Sequence, residues 1–196
     1  MPATIPPRRV LEGRHVRLEP LSPNDLPELF SAIGVPEVFA GGYGGGPAGY
    51  RETEAGFVEF GRSYFAWETG NVYGVRLPGG ELVGTSTLAE FDERREHAHL
   101  GWTAYAPRVW STAVNPETKL LMLGEAFDHG FGRVKLQADA VNARSRAAIL
   151  KLGATFEGVV RRDLPRPDGT WRDSAVYSIL AQEWPAVREG LLRRIG

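Results

Sequence analysis

Two repeating patterns of hydrophobic and polar residues divide this chain into short structural elements. Seven segments alternate between apolar and polar residues with the period of a strand: 14–19, 71–77, 82–89, 97–105, 133–140, 156–162 and 174–181. Five segments repeat apolar residues at helical spacing: 26–33, 51–65, 115–129, 142–152 and 183–193. The order βααβββαβαββα, with no internal repeat and no linker, predicts one α+β (mixed α/β) domain around a single sheet.

The ends and loops of these elements carry their own signals. Segment 1–10 holds three prolines and two arginines, which predicts a flexible N-terminal arm before a domain that spans 11–196. Segment 41–49 is rich in glycine and predicts a flexible loop. It contains the pattern G-x-G-x-x-G, but no strand precedes it and a proline interrupts it, so we do not expect a dinucleotide site there.

Composition excludes several classes of function. The 196 residues include 23 basic and 24 acidic side chains, a net charge of −1, so the basic field of a nucleic-acid-binding protein is missing. There is no cysteine, which excludes disulfides, thiolate metal sites and cysteine nucleophiles. No apolar run is long enough to span a membrane, and the first residues lack the apolar core of a signal peptide. We therefore expect a cytoplasmic protein with no nucleic-acid or membrane partner.

Two junctions between a strand and a helix are candidate binding sites. In the first, Arg108 and the small residues 111–113 precede a helix that Asn115 is expected to cap, and backbone N–H groups at such a helix start bind anions. An ordinary connection is an equally good interpretation. In the second, Asn142 and Ser145 share one side of a first helical turn, an arrangement that helix capping also explains.

The motifs around these junctions resemble a known family. The stretch Ala98-His-Leu-Gly-Trp-Thr, followed by Arg108-x-x-Ser-x-Ala and Asn115-x-Glu-x-Lys-Leu-Leu, resembles the acyl-CoA-binding core of the GNAT N-acetyltransferases. Other motifs resemble the RimJ/RimL-type branch: Asn142-x-x-Ser145, Lys151-Leu-Gly-Ala154, Glu157-Gly-Val-Val-Arg161, Asp168-Gly and Tyr177-Ser-Ile-Leu-x-x-Glu-Trp184. In element order, the resemblance covers residues 12–184.

This resemblance implies a fold and a cosubstrate. The expected fold is a GNAT-like domain whose central twisted mixed sheet of about seven strands is flanked by helices and opens into a V-shaped cleft. Acetyl-CoA would lie in the cleft, with its pantetheine arm along the strand that ends at Tyr105 and its pyrophosphate on the 108–113 loop. The residues implied to bind it are Thr103, Ala104, Tyr105, Arg108, Val109, Trp110, Ser111, Thr112, Ala113, Asn115, Lys119, Asn142 and Ser145. Ser111 replaces a glycine of the family pattern, at a cost of about 1 kcal/mol if the loop needs a positive φ there.

The resemblance also implies a reaction, the transfer of an acetyl group from acetyl-CoA to a primary amine by direct attack in a ternary complex. His99 stands where the family often has a glutamate and is the candidate general base, while Ser145 is the candidate acid for the leaving thiolate. Structural roles for both residues are equally open. His97 and His99 lack a clear third ligand, so no metal is expected.

The sequence says less about where the amine acceptor binds and about the oligomeric state. The 41–49 loop, with Tyr43 and Tyr50, is a candidate mobile wall for the amine acceptor. A homodimer is possible, as it is for many relatives. The alternative functions are an acyl-CoA-binding protein with weak or lost catalysis and a structural protein that keeps only the fold.

Overall fold

The fold is a single mixed sheet covered by helices on both faces. In the computed structural model, which describes residues 2–196, the eight strands are β1 (Leu11–Glu12), β2 (Arg17–Pro20), β3 (Asn71–Arg76), β4 (Leu82–Asp92), β5 (His97–Tyr105), β6 (Arg133–Asp139), β7 (Thr155–Pro165) and β8 (Trp171–Leu180). The six α-helices are α1 (Leu26–Ile33), α2 (Pro36–Ala40), α3 (Glu54–Tyr64), α4 (Val114–Asp128), α5 (Ala143–Lys151) and α6 (Trp184–Ile195). The strands lie in the order β1-β2-β3-β4-β5-β6-β8-β7.

Two apolar cores fix the two helical layers. One core joins the sheet to α4, α5 and α6 through side chains such as Leu100, Met122 and Ile149. The other joins it to α1, α2 and α3 through side chains such as Leu29 and Phe57. Because helices cover both faces, β3 and the first eight residues of β4 are buried at nearly every position, including the polar residues Thr85, Ser86 and Thr87.

The sheet opens between β5 and β6. These strands are the one parallel pair in the described sheet, and only His97, Ala98 and His99 of β5 have partners on β6. Opposite β4, the register of β5 shifts between Gly101 and Ala104, so that two residues of β5 face one of β4. The structure thus contains the cleft and the mixed sheet that were expected, with eight strands in place of about seven.

Several local predictions were wrong. The short strand β1 was not predicted, because two residues carry no readable alternation and are held by their pairing with β2. The hairpin of β7 and β8 extends beyond 162 and starts before 174, since the two strands pair with each other up to Pro165 and Trp171. The predicted loop 41–49 follows the unpredicted α2 and contains two 3₁₀ turns separated by a kink at Gly44, Gly45 and Gly46.

Glycine is needed in these turns for close packing. A Cβ at Gly49 would lie 1.9 Å from the carbonyl oxygen of Gly44, and Gly44 itself has a φ of +60°. The glycines therefore allow tight backbone contact, which the composition alone does not distinguish from flexibility.

The segment predicted as a flexible arm lies along the domain. Met1 is outside the described residues. The N–H of Thr4 donates to the carbonyl of His129, Asn71 donates to the carbonyl of Pro6, and Arg9 pairs with Glu125 at 2.9 Å. Among residues 2–196, no helix is both long and apolar enough to cross a membrane.

Candidate active site

A cavity of about 720 Å³ occupies the opening between β5 and β6. Its walls come from residues 100–105 of β5, the connection to α4, the start of α4, Leu136 and Gln137 of β6, and one side of α5. Along this part of β5 the edge facing β6 is unpaired, so backbone N–H and C=O groups there can bond an extended ligand with amide groups.

The connection from β5 to α4 has the features of an anion-binding site. The backbone N–H groups of Ser111, Thr112 and Ala113 have no acceptor within residues 2–196, and they precede a 15-residue helix. Ser111 has a φ of +63°, and such a left-handed residue turns successive N–H groups toward one point. The site therefore combines a backbone concavity with the positive end of the α4 dipole.

Asn115 does not cap this helix as predicted. Helix α4 begins at Val114 with Ala113 as its N-cap, and the side chain of Asn115 accepts a hydrogen bond from the Tyr105 hydroxyl at 3.1 Å. Thr112 takes part of the capping role, because its hydroxyl oxygen accepts from the N–H of Val114 at 3.3 Å. The absence of an Asn side chain at the cap leaves room for an anion at the helix start.

The basic residues at the anion-binding end of the cavity do not include Arg108, which the sequence predicted there. Arg108 forms an ion pair with Glu81 and is not among the cavity-lining residues, so the prediction that it contacts the ligand is not supported by its position. Arg144, Lys151 and Arg194 line the cavity instead. The Arg144 guanidinium lies 4.0 Å from the centre of the Trp110 ring. It therefore lies next to the connection between β5 and α4, residues 108–113, which we call the anion loop.

Sequence reasoning missed these three basic residues. Arg144 lies within the Asn142-x-x-Ser145 motif, but the direction of a side chain on a first helical turn becomes clear only once α5 is placed against α4. One signal was available: Trp110 lies within the predicted pyrophosphate loop, and the face of a tryptophan ring attracts an arginine guanidinium.

Asn142 and Ser145 lie together at the start of α5, as expected. The Asn142 side-chain oxygen accepts from the Ser145 N–H at 2.9 Å, which is the capping bond. Both residues also line the cavity. The capping interpretation and the binding interpretation are therefore compatible, because capping uses the oxygen of Asn142 and leaves its NH₂ group and the Ser145 hydroxyl beside the cavity.

Lys119 is buried next to the bulge of β5. Its side chain is 5% exposed, and its Nζ donates to Thr103 Oγ1 at 2.6 Å and to Ser86 Oγ at 3.1 Å. Burial lowers the pKa of Lys119 to about 7. The ammonium group therefore points into the sheet, rather than toward the 108–113 loop that the resemblance assigns to the pyrophosphate.

His99 lies on the other face of β5 from Lys119 and under the cavity wall. It is 3% exposed, its Nδ1 is 3.1 Å from Glu90 Oε1, and its ring lies 5.0 Å from that of Trp102. Burial lowers the pKa of His99, while the neighbouring imidazole holds the pKa of Glu90 at about 2. His99 does not line the cavity, but a Cβ on the lining residue Gly101 would be 2.9 Å from its Nε2.

Aromatic side chains form another part of the cavity wall. Tyr43 and Trp102 line the cavity, and the rings of Tyr43 and Tyr64 are 5.5 Å apart. The Tyr43 hydroxyl is buried and has no hydrogen-bond partner within residues 2–196, and burial raises its pKa. Tyr50 packs on Phe39 at 5.6 Å behind this wall. Within residues 2–196, no group of three or more potential metal ligands occurs.

Comparison with known proteins identifies the class to which this fold and cavity belong. The family described as "Acetyltransferase (GNAT) domain" matches residues 15–155. The chain belongs to this family of acetyltransferases, which use acetyl-CoA.

Individual solved structures agree with this assignment. A GCN5-related N-acetyltransferase from Brucella melitensis is 26% identical, with a TM-score of 0.86, 100% of this chain covered and 89% of that one. A protein from T. thermophilus assigned as an acetyltransferase is 33% identical, with a TM-score of 0.84 and coverages of 95% and 97%. Mycobacterium smegmatis RimJ, solved with CoA-disulfide, is 20% identical, with a TM-score of 0.71 and coverages of 91% and 88%, and shows the fold alone. No curated protein matches the chain in sequence.

Proposed function

We propose that this protein transfers the acetyl group of acetyl-CoA to a primary amine. The main support is the charge of the cavity: Arg144, Lys151 and Arg194 line it, and no carboxylate of residues 2–196 does. In a chain of net charge −1, this is a local concentration of positive charge. It lies beside an anion site at a helix start, as a ligand with several phosphate groups requires.

The residues present fit acetyl-CoA. The N–H groups of 111–113 and the Arg144 guanidinium would hold the pyrophosphate, and the unpaired edge of β5 would bond the amides of the pantetheine arm. The bound cosubstrate supplies an activated acetyl group as a thioester. Ser145 keeps a hydroxyl on the cavity wall, where it can give a proton to the leaving sulfur.

The acceptor must reach the same cavity as a neutral amine. Tyr43 and Trp102 form an aromatic part of its wall, which offers an apolar approach for the acceptor. His99 is the candidate base, because burial keeps its imidazole neutral at pH 7, and it would act through a water molecule since it lies beneath the lining. His99→Gln should then remove the acidic limb of the kcat profile, and an unchanged profile would leave His99 a structural role.

Calorimetric titration with acetyl-CoA tests the binding site. Arg144→Met should weaken binding about tenfold or more, because a hydrogen bond to a charged group contributes ~1.5–3 kcal/mol. The matched variant Arg108→Met should bind as the wild type does, since Arg108 faces Glu81 outside the cavity. Wild-type affinity should fall with added salt. Equal affinity in both variants would exclude the proposed phosphate site.

Turnover separates an enzyme from a binding protein. A thiol reagent detects the CoA released from acetyl-CoA, and the protein gives no background because it has no cysteine. A panel of peptide N-termini, amino acids and small amines should contain an acceptor that accelerates release. Tight binding without acceptor-dependent release would instead favour an acyl-CoA-binding protein.

A further inference from the structure

A buried amine that the proposed chemistry does not use lies behind the cavity wall. Lys119 extends from the second turn of α4 to the middle of the sheet, where it contacts the hydroxyls of Ser86 on β4 and Thr103 on β5. Ser86 is fully buried, and its Oγ lies 2.7 Å from Thr103 Oγ1. The three polar groups form one closed cluster.

Among residues 2–196, no negative charge offsets the charge of this amine. Burial is the one cause that lowers its pKa, so no carboxylate on a neighbouring element raises it. The other charged residues that line the cavity are Arg144 and Lys151 of α5 and Arg194 of α6, all of them basic. On β5, the Tyr105 hydroxyl is bonded to Asn115, and His99 lies on the opposite face.

The cluster is joined to the bulge of β5. The Thr103 hydroxyl also donates to the carbonyl oxygen of Gly101 at 3.2 Å, across Trp102, which has a φ of +48°. Gly101, Trp102 and Thr103 all line the cavity. A left-handed tryptophan is a strained conformation that neighbouring contacts must maintain, and the hydroxyl of Thr103 makes one of these contacts.

We propose that Lys119 is a positioning residue whose protonation state sets the hydrogen bonding of this bulge, and through it the geometry of the acyl-transfer site. A charged ammonium has only donors, so both hydroxyl oxygens accept from it. When the Ser86 hydroxyl donates to Thr103, the single Thr103 hydrogen stays on the Gly101 carbonyl. A neutral amine has a lone pair that competes with this carbonyl for the same hydrogen. Loss of one proton therefore releases the Gly101 carbonyl at the cavity wall.

Burial lowers the pKa of Lys119 to about 7, so this loss of a proton falls within the pH range in which enzymes work. The role in transfer rests on the proposed acetyltransferase function, whereas the coupling of Lys119 to the bulge does not.

The first test uses NMR on the protein without ligand. The chain has three lysines, so a sample labelled at lysine side chains gives three resonances, and Lys119→Met identifies the one of interest. It should titrate about three pH units below an ordinary lysine, and the backbone amides of residues 101–103 should shift with the same midpoint. In Lys119→Met this shift should vanish, while any titration caused by His97 or His99 stays.

Thr103→Val tests the path, because it removes the hydroxyl and keeps the shape. Lys119 should still titrate in this variant, but the amides of 101–102 should no longer follow it. Amides that titrate equally in wild type, Lys119→Met and Thr103→Val would overturn the inference, as would a Lys119 resonance that titrates like the other two.

The second test is the pH profile of turnover. Wild type should show an ionisation of kcat near pH 7 that is absent in Lys119→Met and in the permanently charged Lys119→Arg. The KM for acetyl-CoA should change much less than kcat. Arg193→Met, an exposed basic residue on α6, should keep the wild-type profile. An unchanged profile in Lys119→Met would exclude a role in transfer. If wild type acetylates nothing while the amides still follow Lys119, the acetyl-transfer proposal fails and the coupling stands.

Discussion

Removal of the Glu117 carboxylate should be among the most destabilising changes on α4. Glu117 is 4% exposed, and its two oxygens accept from the backbone N–H groups of Arg14 at 2.8 Å, His15 at 2.6 Å and Val16 at 2.8 Å. These groups form the turn between β1 and β2. Gly13 is required in the same turn, because a Cβ there would lie 2.6 Å from the carboxyl carbon.

The size of the effect follows from the burial of each donor. In Glu117→Ala three N–H groups lose a charged acceptor, and a buried donor without a partner costs ~1–3 kcal/mol. Val16 is buried, whereas His15 is half-buried and Arg14 is exposed, so water can replace part of what the last two lose. We therefore expect a loss of about 3–4 kcal/mol, or a decrease in Tm of roughly 6–16 °C for a chain of this length.

Urea and thermal unfolding would measure this loss. Glu189→Ala is the matched control, because Glu189 is exposed on α6 and pairs only with Arg193; it should change the free energy of unfolding by less than about 0.5 kcal/mol. A loss below about 1 kcal/mol in Glu117→Ala would refute the reasoning, since it would mean that the turn finds other acceptors at no cost.

Three further changes act on stability, and unfolding in urea measures each. Ser111→Gly should stabilise the protein by up to about 1 kcal/mol, because the left-handed conformation costs a serine ~1–2 kcal/mol. Part of this gain is lost because glycine has more conformational freedom in the unfolded chain. No gain would contradict a strained Ser111. Wild-type stability should rise from pH 7 toward pH ~10.4, where the unfolded chain binds the Lys119 proton and the folded chain does not; Lys119→Met should lack this rise. Below pH ~6.5 the unfolded chain takes up the His99 proton first, so stability falls as the pH falls, and His99→Gln should fall less steeply.

Local patterns predicted the elements well where burial alternates regularly. The strand expected over 133–140 is β6, and the helix expected over 142–152 is α5 with Asn142 as its cap. Both elements are determined by the pattern of residues that are close together in the sequence. The two-residue strand β1 depends on its pairing with β2, which no local pattern contains.

The candidate site was predicted less completely, because side-chain direction is a property of packing. Ser111 has the positive φ that its replacement of glycine suggested, since that is a backbone requirement of the loop. Arg108 and Arg144 are both basic residues near a helix start, and the sequence alone favoured Arg108. In the structure the two side chains have different partners: Arg108 pairs with Glu81, and Arg144 packs on the Trp110 ring.

The position of the site follows from the connection between β5 and β6. Parallel neighbours need a crossover, here α4, and the start of that helix must then lie near the C-terminal end of β5. The bulge at Trp102 turns this end of β5 away from regular pairing, so the sheet opens next to the positive end of the helix. A cleft with an unpaired strand edge, an anion site and a buried amine behind its wall is therefore the product of one crossover and one bulge. For this reason we expect changes at Trp102 to alter catalysis more than changes in the anion loop, which should act mainly on binding.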